Sequence, residues 1–197
     1  MSNTQSFTQR SLGALALATF FTLGLQAQDA PSLTDPQIAH IAVTANQIDV
    51  NYAAIAKEKS KNKDVLRFAE TMASDHNGVI KKATELANKL GVTPEDNATS
   101  KSLKEQEAKT SKHLRSLSGA AFDKAYIDNE VAYHKAVIAT VKNTLVPATK
   151  NAELKDLLVS VEPVLASHLE HAEMVSKEFN KAAAEKPAAT KPEPMKH

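Results

Sequence analysis

Cysteine and tryptophan are absent from the 197 residues, glycine occurs only five times, and neither sign of charge is in excess, with 24 Lys and Arg against 23 Asp and Glu. The lack of cysteine excludes disulfides, thiolate zinc sites, iron–sulfur clusters and thiol catalysis, so any metal must be held by nitrogen, oxygen or thioether groups. Five glycines, none in a Gly-rich loop, disfavour a nucleotide site that cradles phosphate. Balanced charge, with no basic run and no aromatic-rich strand, leaves no electrostatic footprint for nucleic acid. What is present is 42% apolar residues, enough for one sizeable core.

Residues 1–27 read as a secretory signal: a polar start with Arg10, an apolar stretch from Leu12 to Leu25, and Ala27 ahead of Gln28 and Asp29. That apolar stretch is shorter than the ~20 residues of a spanning helix, so the reading predicts cleavage after Ala27 and a mature chain with no integral membrane span. The expected protein is periplasmic or secreted. Residues 28–33 form a short leader, and 34–180 the folded domain. The stretch 181–197 is Ala, Lys, Pro and Glu with almost no large apolar group, and is expected as a disordered tail.

Between these ends the apolar residues recur at helical spacing. Thr34, Asp35 and Pro36 start a helix over 35–59, with Ile38, Ile41, Ala45, Ile48, Tyr52 and Ile55 as its stripe. Asn62 caps a second, in which Val65, Ala69, Met72, His76, Val79, Ala83, Leu86 and Leu90 step by 4 and 3 until Gly91. A polar connector over 91–118 carries a short helix near 101–115. A third long helix over 119–145 has Ile127, Glu130, His134, Val137, Val141 and Leu145 on one stripe and is ended by Pro147. The fourth, 152–180, carries Leu154, Leu158, Val161, Leu165, His168, Ala172, Val175 and Phe179, with Pro163 kinking it but not ending it. The fold class is therefore all-α, a four-helix bundle whose long second-to-third connection permits a ferritin-like crossover, with an up-down-up-down bundle as the other topology.

Three histidines fall on these stripes. His76, His134 and His168 each lie near the midpoint of a different helix, and a midpoint keeps its height whichever way the helix runs. All three imidazoles are thus expected at one level of the interior. Glu130 is one turn from His134, His171 one turn after His168, and Asp75 flanks His76; Met72 precedes His76 by a turn. Three imidazoles with a carboxylate or water form a four-coordinate set for zinc, copper or iron. Asp75 or Glu130 could instead fix a ring by accepting its far N–H. The competing reading is a metal-free polar layer that only sets the core of a structural or interaction protein. Tyr52, Tyr126 and Tyr133 are candidate donors to such a layer, whereas His40, His113 and His197 read as solvated. Di-iron chemistry is disfavoured because no Glu-x-x-His occurs, so an enzyme is not the expected class. Imidazoles buried neutral would also make stability fall as pH drops below about 6.5.

Phe68-Ala-Glu-Thr-Met72 before Asp75-His76, the run from Leu117 through Phe122, Asp123 and Tyr126 towards His134, and Pro163-Val-Leu-Ala-Ser-His168 together resemble one family. It is the exported bacterial ferritin-like domain of unknown function, often labelled a putative outer membrane protein. The resemblance covers about residues 33–180 and implies a ferritin-like bundle in the cell envelope, with no assigned activity. The family motif coincides with His76, His134 and His168, while Glu130 and His171 look particular to this sequence. No amphipathic strands for a barrel are present.

Overall fold

The computed structural model describes residues 33–184, and these are all-helical, with no strand among them. The expected signal, all of the leader except Leu33, and the tail from residue 185 lie outside the described residues. Among the described residues there are five main helices: α1 (Asp35–Lys59), α2 (Lys63–Leu90), α3 (Ala98–Ser116), α4 (Gly119–Thr140) and α5 (Ala152–Ala184).

Their ends are set by local chemistry. Thr34 and Gln37 form a reciprocal capping box at α1, and Asn62 accepts from the backbone of Asp64 and Val65 at α2. Gly91 closes α2 with φ 64°, a left-handed conformation that costs a residue with a Cβ roughly 1 kcal/mol or more. The connector helix α3 is longer than the expected 101–115, because Asn97 and Ser100 form a capping box that starts it three residues upstream, at Ala98.

The third long helix differs from expectation near its end. Its α-geometry stops at Thr140, Val141–Leu145 form a π-turn, and one more α-turn follows, Val146–Ala148. The Val146 N–H reaches back to the Val141 carbonyl, one residue further than in an α-helix. Pro147, which has no N–H to donate, sits inside that last turn, and the chain leaves the helix at Thr149. Pro163, by contrast, lies within α5 without ending it, and α5 continues past the expected tail boundary at Lys181 to Ala184. Three successive alanines, the best helix formers, carry it there.

Contacts between distant residues fix the helix directions. Successive pairs α1/α2 and α4/α5 are joined by short turns and run antiparallel. Along α3, Asn97 bonds to the Gln37 carbonyl, Glu107 to Asn51 and Arg115 to Glu58, so α3 climbs the outside of α1 parallel to it. It delivers the chain to the end of α1 where Ser60 donates to Asp123, 2.5 Å, at the start of α4. At the opposite end Asp35 accepts from the backbone of Lys150 and Asn151, so α4 runs antiparallel to α1. Consequently α2 and α4 point the same way, and residues 91–118 cross from one end of the molecule to the other.

The long helices enclose two apolar groups. One is built on Tyr52, Ile55, Phe68, Met72, Phe122 and Tyr126. The other is built on Ile38, Ile41, Val141, Leu145, Leu158 and Leu165, with Leu33 packed against it. Burying each such side chain stabilises the fold by roughly 1.5–3 kcal/mol. Between the two groups lies a polar layer.

Candidate metal centre

The polar layer is formed by His76 on α2, His134 on α4 and His168 on α5, each between apolar neighbours on its own helix and at most 4% exposed. Ring centroids are 5.7 Å apart for His76 and His134, 5.2 Å for His76 and His168, and 5.5 Å for His134 and His168. One nitrogen from each ring can be chosen so that all three lie within 4.8 Å of one another.

The other nitrogens of these rings are tied outwards. His76 Nδ1 is 2.7 Å from Asn46 Oδ1, His134 Nδ1 is 3.0 Å from the Glu130 carbonyl, and His168 Nε2 is 3.0 Å from Asp75 Oδ2. All three partners are acceptors, so each outward nitrogen carries the proton. That assignment leaves His76 Nε2, His134 Nε2 and His168 Nδ1 as bare lone pairs. All three are buried with no hydrogen-bond partner. A polar atom left so costs roughly 1–3 kcal/mol, so three at one place call for something to bind.

Beside them is a residue that the sequence reading passed over. Asp49, on α1, is fully buried, with Oδ2 3.3 Å from His76 Nε2 and 3.6 Å from His134 Nε2, and neither contact has hydrogen-bond geometry. It sits next to the Ile48–Tyr52 stripe and not on it. It follows Ala45 of the predicted stripe by one turn and leads on to Ala53 and Ala56, a run of small residues at steps of 4, 4 and 3 along that stripe's edge. That run is the available signal: small residues let α2 and α4 approach this face of α1, where His76 and His134 meet the carboxyl, while α3 packs on the other side at Asn51 and Glu58.

Glu130 is also fully buried, with Oε2 3.6 Å from His134 Nδ1 and both oxygens without a hydrogen-bond partner. Asp49, Glu130 and His134 form a second grouping close enough to hold an ion. Asp75 lies outside the layer, half-exposed, and acts on His168 from its far nitrogen. His171 points elsewhere, its ring edge-on to Phe68 with centroids 5.1 Å apart. Met72 belongs to the apolar core. Tyr133 donates to the Ala45 carbonyl, 2.8 Å, Tyr52 stacks edge-on against Tyr133, and the buried Tyr126 hydroxyl has no partner. His40 lies 3.6 Å from Asp96, His113 is exposed, and His197 is outside the described residues.

Burial governs the protonation of this layer. It pushes the Asp49 carboxyl up to about 8, and pushes Glu130 well above its usual range, with the Asp49 charge adding to the effect. Burial, followed by the two neighbouring imidazoles, lowers His76 to about 3; burial, followed by His168, lowers His134 to about 4, against the bond to the Glu130 carbonyl. Near neutral pH, His76 and His134 are therefore neutral and Asp49 is mostly protonated. These imidazoles are in the state that ligates a metal.

The sequence pattern of a family described as a domain of unknown function, DUF4142, matches residues 22–175, most of the chain and all of the polar layer. The chain belongs to that family. No match is found among curated proteins or among solved structures. Among the described residues, no helix of this DUF4142 member is long and apolar enough to cross a membrane.

Proposed function

We propose that this protein is an exported, ferritin-like four-helix bundle of the bacterial envelope that holds one transition metal ion at His76, His134 and His168, with Asp49 as the fourth ligand, in metal handling or envelope stress tolerance. Export is supported by the signal-like residues 1–27, and the ferritin-like topology by the crossing from α2 to α4.

The observation that carries the reading is the orientation of the three rings. Each gives its N–H to an outer acceptor and turns a bare nitrogen to a common point, which is how proteins prepare imidazole ligands. Zinc, copper and iron all suit three imidazoles and a carboxylate. With zinc–nitrogen bonds of ~2.0–2.1 Å in a tetrahedral site, nitrogens that lie within 4.8 Å of one another would close to about 3.4 Å. A nearby cation would favour the ionised form of Asp49, replacing a proton by a ligand bond.

The test is the metal content of protein purified without a histidine tag, repeated for His134→Ala and His168→Ala. Stoichiometric metal in the parent and its loss from both variants is the expected result. A parent that takes up neither zinc nor copper on challenge would end the metal reading. A second reading is favoured by one contact: Asp49 Oδ2 lies 3.3 and 3.6 Å from two imidazole nitrogens, a polar neighbour for both within a metal-free layer. That reading predicts the empty parent.

A further inference from the structure

Below the imidazole layer, away from the aromatic core, lies a cavity of about 220 Å³. Its walls come from Ala83 and Leu86 on α2, Val137 on α4, Val141 at the start of the π-turn, and Leu158 and Leu165 on α5. Tyr133 and the imidazoles are the aromatic rings that border it. The polar end is the layer described above, where Asp49 and the three histidines face the cavity with buried, unpartnered atoms. At the far end α2 and α5 are tied together again by the ion pair of Lys89 and Glu153. The π-turn at Val141–Leu145 sits beside it, widening the helix where Val141 and Leu145 form part of the wall.

We propose that this cavity binds a single-chain aliphatic carboxylic acid, with the chain between α2, α4 and α5 and the carboxyl at the imidazole layer. The volume argues for the size: a cavity of ~150 Å³ accommodates the six carbons of benzene, so this one takes about nine. The walls argue for the shape, since the branched aliphatic side chains offer a flexible chain dispersion contacts along its length and offer a flat ring no stacking surface. The polar end argues for the head. Bare imidazole nitrogens accept a hydrogen bond from the O–H of the protonated acid, so without an ion a carboxylate takes up one proton from solvent as it binds; an ion held by the imidazoles and Asp49 takes the carboxylate oxygen as a fifth ligand. The proposal therefore shares residues with the metal reading but does not depend on it.

Titration calorimetry of the tag-free protein with acetate, hexanoate and nonanoate, after chelator treatment and again after zinc loading, tests this. One site is expected, with affinity rising by about fourfold per methylene up to about nine carbons. Ala83→Phe and Val141→Phe, which fill the cavity two turns from the histidines, should weaken nonanoate by tenfold or more while the circular dichroism stays that of the parent. Affinity independent of chain length, or undiminished nonanoate binding in both folded variants, overturns the proposal. Should the variants not fold, the chain-length series on the parent decides alone. Zinc stoichiometry on the same samples keeps the two readings apart: nonanoate without zinc supports the cavity and counts against the metal, and zinc without nonanoate does the reverse.

Discussion

Asp49 Oδ2 lies 3.3 Å from His76 Nε2, and this buried contact joins α1 to α2 at the level where the two apolar groups of the core meet. Neither atom has a hydrogen bond. The carboxyl is thus a cost to the metal-free fold and an asset to an ion. Asp49→Leu should leave the chelated protein as stable as the parent or more so, since an apolar side chain replaces an unsatisfied polar one. The same change should weaken zinc binding by at least about tenfold. Thermal melts with and without chelator, beside a zinc titration, check the two opposite signs.

Asp75 holds His168 from outside, and it is half-exposed. Asp75→Asn keeps the shape and loses the charge, so zinc affinity should fall by about 10–100-fold with little change in the melting temperature of the metal-free protein. Equal zinc affinity in the variant and the parent would count against a positioning role.

The pH dependence of metal-free stability follows from opposed shifts. His76 and His134 titrate lower in the folded state, at about 3 and 4, so their contribution is complete above the unfolded ~6.5 and is lost as pH falls towards those values. Asp49, raised to about 8, and Glu130, also raised, contribute fully below the unfolded carboxylate range near 4 and lose that contribution as pH rises through their folded values. Between about pH 4 and 6.5 the two imidazoles and the two carboxyls exchange equal numbers of protons on unfolding, and the slopes cancel. Denaturant melts of chelated protein should show a plateau there, with stability falling on both sides. Histidines alone would give a steady fall below 6.5, the expectation from sequence, and Asp49 and Glu130 change it.

Ion binding should release a proton. Asp49 is mostly protonated at pH 7, so apparent zinc affinity should rise by close to tenfold per pH unit up to about pH 8 and then level off. Calorimetry in buffers of different ionisation enthalpy would report about one proton displaced near pH 7. None displaced would place the ligand set elsewhere.

The two halves of the core should respond differently to truncation. Phe68 is fully enclosed by the aromatic group, and Phe68→Ala should cost about 3–5 kcal/mol. Leu165 borders the existing cavity and has fewer partners to lose, so Leu165→Ala should fall at the low end of about 2–5 kcal/mol. Urea melts of both variants provide the comparison.

Much of this architecture was legible along the chain. Thr34, Asn62 and Gly91 marked helix ends that the structure places where local capping chemistry puts them, and the stripes set the faces on which His76, His134 and His168 lie. These features are decided within a turn or two of helix, by hydrogen bonds and spacing the sequence contains. The π-turn before Pro147 was not legible, because a wider turn leaves no mark in apolar spacing.

The sequence by itself determined an all-helical chain and three imidazoles at helix midpoints. Tertiary structure alone decided which nitrogen of His76 and His168 turns inward, because the acceptors Asn46 and Asp75 come from other helices, whereas His134 is fixed by the Glu130 carbonyl of its own helix. It also decided that Asp49 is buried: a carboxylate beside an apolar stripe reads as solvated, and only the placing of α2 and α4 across that face of α1 encloses it against His76 and His134. Burial is a property of what lies across a surface, and a helix cannot specify from its own periodicity how many neighbours it will have.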